Sequence, residues 1–309
     1  MTNKKSFMFY VLYFFIFYTS ASSFFLPVAL AMIEENGLSS AAPIRFNPLD
    51  PSHSPYAIDI ARVSDISEEA SSFIQKIEEN GFVVLKNALD PQKIEQAKSL
   101  LAATYEHFQK HPAVLTPFDI LNLSNSCIRE ERFKQHNNGT SLFDVLSPEV
   151  ISLCQAFFDG EANISPCAHT RIVHSIPTPY HQPPIHFHVD SMYHGHDKFG
   201  LNFWTPLEDC GDNNKPTLQV CAASLEEIRK RLKFNKKTGF NTEIKESLES
   251  GSLEVLQGLP RYYFPMTKGD IVVFSNWALH AGYADNTMTE PRMSMELRYL
   301  GPKFNRVTD

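Results

Sequence analysis

The chain has 309 residues, enough for one large domain or two small ones around a substantial core. It is 43% hydrophobic and 20% charged, with 20 Pro and 13 Gly, which excludes a disordered tail protein, a collagen-like chain and a coiled coil. A formal charge of −7 and the lack of any dense Lys/Arg run argue against nucleic acid as a partner.

Lys4 and Lys5 precede an apolar run from Phe7 to Tyr18, a small polar patch from Thr19 to Ser23, and a second apolar stretch from Phe24 to Met32. With Ala29-Leu30-Ala31 as a small-residue cleavage site, residues 1–32 read as a signal peptide. Left uncleaved they would form a membrane anchor with its amino terminus in the cytoplasm, the chain's only contact with a membrane. Either way the rest of the chain enters the secretory pathway or is exported. A cytoplasmic protein with an apolar start is the alternative. Three glycosylation tripeptides, at Asn122, Asn138 and Asn163, matter only in that pathway. Residues 33–56, rich in Ser, Pro and Ala, read as a linker, and residues 57–309 as a single folded domain.

Ser67 to Glu79 has helical spacing in Ala70, Phe73, Ile74 and Ile77. Asn80-Gly81 ends that helix, and Phe82 to Leu85 reads as a strand. Asp90-Pro91 starts a second helix reaching about Gln109. From Thr170 onward the texture changes to short strands separated by Pro, Gly and Asn: Arg171–Ile176, Ile185–Asp190, Leu201–Thr205, Thr217–Val220, Arg261–Phe264, Asp270–Phe274 and Met293–Leu300. A helical insertion, Leu225 to Leu232, interrupts them. Helices followed by many short strands predict a mainly β fold with flanking helices, of the jelly-roll kind. The five cysteines (Cys127, Cys154, Cys167, Cys210 and Cys221) are odd in number and show no C-x-x-C spacing, so they read as buried thiols.

Half of the 12 histidines fall between His174 and His196. Among them is His188-Val189-Asp190. Residues two apart on a strand face the same way, so both side chains can reach one metal ion. An imidazole and a carboxylate are two thirds of the facial triad that holds non-haem Fe(II). By itself the tripeptide equally suits a His and an Asp at a strand end. A third ligand is available in His280, just beyond the strand that follows Gly269-Asp270. Arg292 and Ser294 share a strand face further on, and a guanidinium fork beside a hydroxyl suits a carboxylate.

Together these segments resemble the Fe(II)/2-oxoglutarate-dependent dioxygenases of the phytanoyl-CoA hydroxylase-like family. The resemblance is carried by Asn80-Gly-Phe-Val-Val-Leu85, His188-Val-Asp190, Phe203-Trp-Thr-Pro-Leu207 with Asp209-Cys-Gly211, Gly269-Asp-Ile-Val-Val-Phe274, and His280 to Arg292. It implies a double-stranded β-helix (cupin-like) core and a single dioxygenase domain. His188, Asp190 and His280 would be the catalytic iron ligands, and Arg292 would bind the distal carboxylate of the co-substrate 2-oxoglutarate with help from Ser294. The implied reaction hydroxylates an unactivated C–H bond of a small or lipid-like substrate and releases succinate and CO2, with ascorbate as an accessory reductant. An Asp at 190, where related halogenases have Gly or Ala, favours hydroxylation. Two departures stand out: Ala222-Ala223-Ser224-Leu225 replaces a Gly-Ser-His turn, and the His280–Arg292 gap is about one residue longer than is usual in the family. Arg298, on the same strand face, is therefore a second candidate for the carboxylate.

Other readings attach to the same residues. The 174–196 histidines could bind zinc in a hydrolase or metal-binding protein, although H-E-x-x-H is absent. A jelly roll without turnover would be a binding module. His186, His194 and His196 read as packed or surface residues. Trp204 and Trp277 read as core or pocket wall, while Tyr180, Gln182 and Asn202 are candidates for lining the co-substrate site. Selectivity is expected in the insertion Leu225–Gly258. Neither the substrate nor the oligomeric state is legible.

Overall fold

A computed structural model describes residues 47–48, 56–62, 66–111, 127–159, 165–173, 186–194, 199–212, 214–233 and 254–301. The chain divides after Arg45 into two compact units, and the first lies wholly outside the described residues. The apolar start, most of the linker, Tyr180, Gln182 and residues 234–253 of the insertion therefore lie outside them too. No helix among the described residues is long and apolar enough to cross a membrane.

Two sheets face each other. The larger has seven strands in the order β2-β3-β9-β6-β11-β5-β4: β2 (Ala57–Asp59), β3 (Phe82–Lys86), β4 (Cys127–Arg129), β5 (Ser165–Val173), β6 (Phe199–Pro206), β9 (Ile271–Ser275) and β11 (Arg292–Gly301). The smaller has four, in the order β1-β8-β7-β10: β1 (Asn47–Pro48), β7 (Thr217–Cys221), β8 (Arg261–Tyr263) and β10 (His280–Tyr283). The chain crosses repeatedly between the sheets, giving the jelly-roll, double-stranded β-helix architecture expected from the run of short strands.

Helices cover the outer face of the large sheet. These are α1 (Ile66–Asn80), α2 (Pro91–Lys110), α3 (Glu130–His136) and α4 (Pro148–Phe157). The first stops at Gly81, whose φ of +82° suits a helix end and whose N–H reaches the Ile77 carbonyl at 2.9 Å. The second starts as its sequence requires: Asp90 accepts from the Gln92 N–H at 2.8 Å and Pro91 fills the first turn.

Strand alternation separates two cores. Val83, Leu85, Leu201, Phe203, Ile271, Val273, Met295 and Leu297 meet Phe73, Ile77, Leu101 and Phe157 on the helix side. From the same strands, Phe82, Val84, Trp204, Val272 and Phe274 point the other way and pack with Leu218, Val220 and Phe264 between the sheets. The Gly269-Asp270 turn positions β9. Gly269 has φ +107°, and the Asp270 carboxylate accepts from the N–H groups of Asn87 (3.0 Å) and Thr267 (3.3 Å) and pairs with Lys86.

Two short helices complete the scaffold, α5 (Ser191–His194) and α6 (Leu225–Arg231). The latter is capped by Ser224, which accepts from the Glu227 N–H at 3.2 Å, so the stretch in place of the family's Gly-Ser-His turn is a helix start. In the β10–β11 turn Asp285 accepts from both the N–H (2.8 Å) and hydroxyl (2.6 Å) of Thr287.

Candidate active site

The expected strand Ile185–Asp190 is not a strand over its described part. His188 forms one isolated antiparallel bridge with His280, through N–H···O bonds of 3.0 and 3.1 Å in the two directions, and Asp190 lies in the turn that opens α5. The bridge and the turn, rather than an extended ladder, bring His188, Asp190 and His280 together. One donor atom of each lies within 4.8 Å of the other two.

Their geometry suits a metal. His188 Nε2 lies 3.5 Å from Asp190 Oδ1, and His280 Nε2 lies 3.9 Å from Asp190 Oδ2. Ligands about 2.1 Å from one ion and at right angles stand about 3 Å apart, so a small contraction would let all three bind. The imidazole Nδ1 atoms are committed elsewhere: that of His188 to the His186 carbonyl at 2.8 Å, and that of His280 to the Ala278 carbonyl at 2.9 Å. A carbonyl can only accept, so each Nδ1 carries a proton, which leaves Nε2 as the nitrogen that can take a metal. The exposed His186 thus contributes its backbone. Phe274 packs 4.5 Å from the His280 ring and fixes its plane.

Burial, followed by the proximity of His188, pushes His280 down to about 4, so its imidazole is neutral at pH 7. Its approach to Asp190 is accordingly not an ion pair. Burial opposes ionisation of Asp190, but the Arg298 guanidinium, then His280 and His188, outweigh it and hold the carboxyl well below the usual carboxylate range.

Asp190 is anchored on one oxygen. Its Oδ2 accepts from Asn202 Nδ2 at 2.5 Å and from Arg298 at 2.9 Å. Arg298 also donates to Asn202 Oδ1 at 2.8 Å and to Glu296 at 3.0 Å. These bonds leave Oδ1 as the oxygen for one-point metal ligation. Arg298, the second candidate for the co-substrate carboxylate, is thus engaged with Asp190, and Asn202, a candidate for lining the co-substrate site, holds the same carboxylate oxygen. A polar residue at every second position of β11 (Arg292, Ser294, Glu296, Arg298) was the available signal for a buried polar row.

Arg292 is buried at the start of β11, with its guanidinium 4.8 Å from the Trp204 ring centroid. Trp204 pairs in register with Glu296, so the Arg292 side chain leans along the strand toward the triad. The Asn202–Arg298 row, which touches Asp190, lies two residues beyond. Ser294 is fully buried on the same face, and its hydroxyl makes no hydrogen bond among the described residues. An orphaned buried hydroxyl beside a buried guanidinium suits a polar anionic ligand.

Cys154, Cys210 and Cys221 are free and buried, and burial pushes their thiols up to about 12, 11 and 12. They are packing residues, as their spacing suggests. Trp204 and Trp277 are buried, and His194 and His196 have no described side chain.

Two imidazoles and a carboxylate inside a jelly roll, with a buried arginine on the polar face of β11, fit the class of iron oxygenases that use a 2-oxo acid as co-substrate. The model of the family "Phytanoyl-CoA dioxygenase (PhyH)" matches residues 77–294, and the chain belongs to this family of Fe(II)/2-oxoglutarate-dependent oxygenases. No curated protein sequence matches the chain. Among solved structures, the fold is similar to that of the epimerase SnoN in complex with Fe3+, alpha-ketoglutarate and nogalamycin RO, with 12% identity, a TM-score of 0.50, and coverage of 78% of this chain and 88% of the other. AviO1 from Streptomyces viridochromogenes Tue57 shares 18% identity over 75% of this chain and 95% of its own, with a TM-score of 0.46. EvdO2 from Micromonospora carbonacea var. aurantiaca, complexed with 2-oxoglutarate, shares 13% over 77% and 93%, also at 0.46.

Proposed function

We propose that this oxygenase hydroxylates an unactivated C–H bond of a small organic substrate, with conversion of 2-oxoglutarate to succinate and CO2. The observation that carries the reading is the triad itself: two imidazole nitrogens and one charge-stabilised carboxylate brought within 4.8 Å of one another. Bound Fe(II) would supply the redox centre at which oxygen and the 2-oxo acid react. The chain's own part is to orient and to exclude water. His188 and His280 offer lone pairs fixed by their Nδ1–H bonds, and Asp190 offers Oδ1 because Arg298 and Asn202 hold Oδ2. Arg292 and Ser294 would take the distal carboxylate of 2-oxoglutarate, the guanidinium through paired N–H donors and the serine through its buried hydroxyl. A carboxylate at 190 occupies the position that a halide would need, which supports hydroxylation.

The substrate falls among small molecules, with lipid-like compounds included in the proposal. The route is export, supported by Lys4, Lys5 and the apolar run that follows them. Amino-terminal sequencing of the secreted chain tests this: a start just after Ala31 supports a cleaved signal, and an intact cytosolic chain contradicts it.

The chemistry is tested by succinate formation from 2-oxoglutarate with Fe(II), oxygen and ascorbate, beside His188→Ala. The expected result is iron-dependent succinate that vanishes in the variant. Hydroxylation further predicts a product one oxygen atom heavier than the substrate, and a product of unchanged mass would contradict it. Binding of zinc with no response to 2-oxoglutarate would favour the hydrolase reading.

A further inference from the structure

Three histidines outside the active site meet where α2 ends against α3. His107 and His111 are one turn apart, with the His111 N–H bonded to the His107 carbonyl at 2.9 Å, and His136 is the last residue of α3. The His107 ring lies 4.4 Å from that of His136 and 4.9 Å from that of His111, centroid to centroid.

The scaffold beneath them is fixed. Asn137 donates to the Thr104 hydroxyl at 3.0 Å and to the Phe133 carbonyl at 2.9 Å, tying the two helix ends together one residue from His136 and three from His107. Phe108 and Phe133 are buried in the helix-side core below. The rings themselves face outward: His107 and His136 are half-buried and His111 is exposed. Among the described residues, no hydrogen bond or ion pair engages any of the three imidazoles, and the nearby Glu106 is paired with Lys110 at 2.5 Å. Three basic rings have thus been packed at one spot with no acid between them.

We propose that His107, His111 and His136 form a second metal site, of the zinc type, that clips the end of α2 to α3. Two imidazoles four residues apart on a helix can share one ion, and a third from a neighbouring element with a water completes a tetrahedron. An all-imidazole set favours Zn(II), Ni(II) or Cu(II) over the iron that the mixed nitrogen and carboxylate triad suits. A cation here also meets the partial negative charge of the α2 carboxyl end. The rings are tilted against one another, at 34° and 47°, instead of converging, and among the described residues the active-site group alone brings one donor atom of each member within 4.8 Å of the others. Binding would therefore turn the solvent-side rings of His111 and His136 toward His107, a rotamer change that their exposure allows.

The test is Zn(II) stoichiometry of the untagged full chain, read by competition with a chromogenic chelator, for the wild type, His107→Ala and His136→Gln. Each variant should bind one zinc fewer than the wild type and lose the part of the zinc-induced rise in thermal midpoint that this site supplies. Iron-dependent succinate formation should be unchanged. His111→Gln, at an exposed position, gives the same reading should either of the others fail to fold. Variants that bind as many zinc ions as the wild type would overturn the proposal and leave the three rings as aromatic packing.

Discussion

The two faces of β11 carry different burdens. Met293, Met295, Leu297 and Tyr299 face the helices and join the larger apolar core. Arg292, Ser294, Glu296 and Arg298 face the smaller sheet and build the polar floor of the active site. One strand thus alternates between residues that stabilise the fold and residues that cost stability to bury. The burial cost on the second face is offset by mutual pairing of Asp190, Arg298, Asn202 and Glu296, which is also what sets up the metal ligand. Substitutions on the two faces should therefore separate function from folding.

The largest functional effect is expected at the triad, where His280→Ala should abolish succinate formation and iron binding together, read by turnover and metal analysis. Next comes Arg298→Leu, which leaves the Asp190 carboxylate without its strongest cationic neighbour. Loss of a ligand's supporting group typically weakens metal affinity or activity about 10- to 100-fold, and Arg298→Lys should recover part of it. Opposite in kind is Leu297→Ala on the helix face. It should lower stability by about 2–5 kcal/mol in denaturant titration, while kcat and the KM for 2-oxoglutarate, measured below the lowered midpoint, stay near wild type. An equal loss of activity there would dissolve the distinction between the faces.

A smaller effect tests the protonation state of the site. His280 is held at about 4, well below the unfolded value of about 6.5. The unfolded chain therefore binds a proton across that window and the folded chain does not, so metal-free stability falls as pH drops from 6.5 toward 4. Between pH 7 and pH 5 the loss should be about 2 kcal/mol. His280→Gln should flatten that slope. The depressed carboxyl of Asp190 acts in the same direction, below its own unfolded value.

Much of this was legible in the residues. Apolar spacing with Gly81 and Asp90-Pro91 as punctuation foretold α1, β3 and α2, because caps and β-branched runs act locally. The triad was legible as a tripeptide plus a distant histidine, and the resemblance supplied their order. The anchoring of Asp190 was not, because Asn202 and Arg298 are 96 residues apart and meet only through the β6–β11 register. Nor was the mode of approach of His188, since a single backbone bridge leaves no periodic signature. Arg298 was read as a spare carboxylate grip for the same reason: a strand face tells which way a side chain points, not what stands opposite it.

The central claim is that Arg292, on the polar face of β11, receives 2-oxoglutarate bound at the triad. The most direct test is 2-oxoglutarate binding to anaerobic, Fe(II)-loaded protein by calorimetry, in the wild type and in Arg292→Leu. Removing the partner of a buried charge costs about 2–5 kcal/mol, so Kd should rise about 30-fold or more while iron content is unchanged. Unaltered binding in Arg292→Leu would contradict the claim and move the carboxylate grip to another residue.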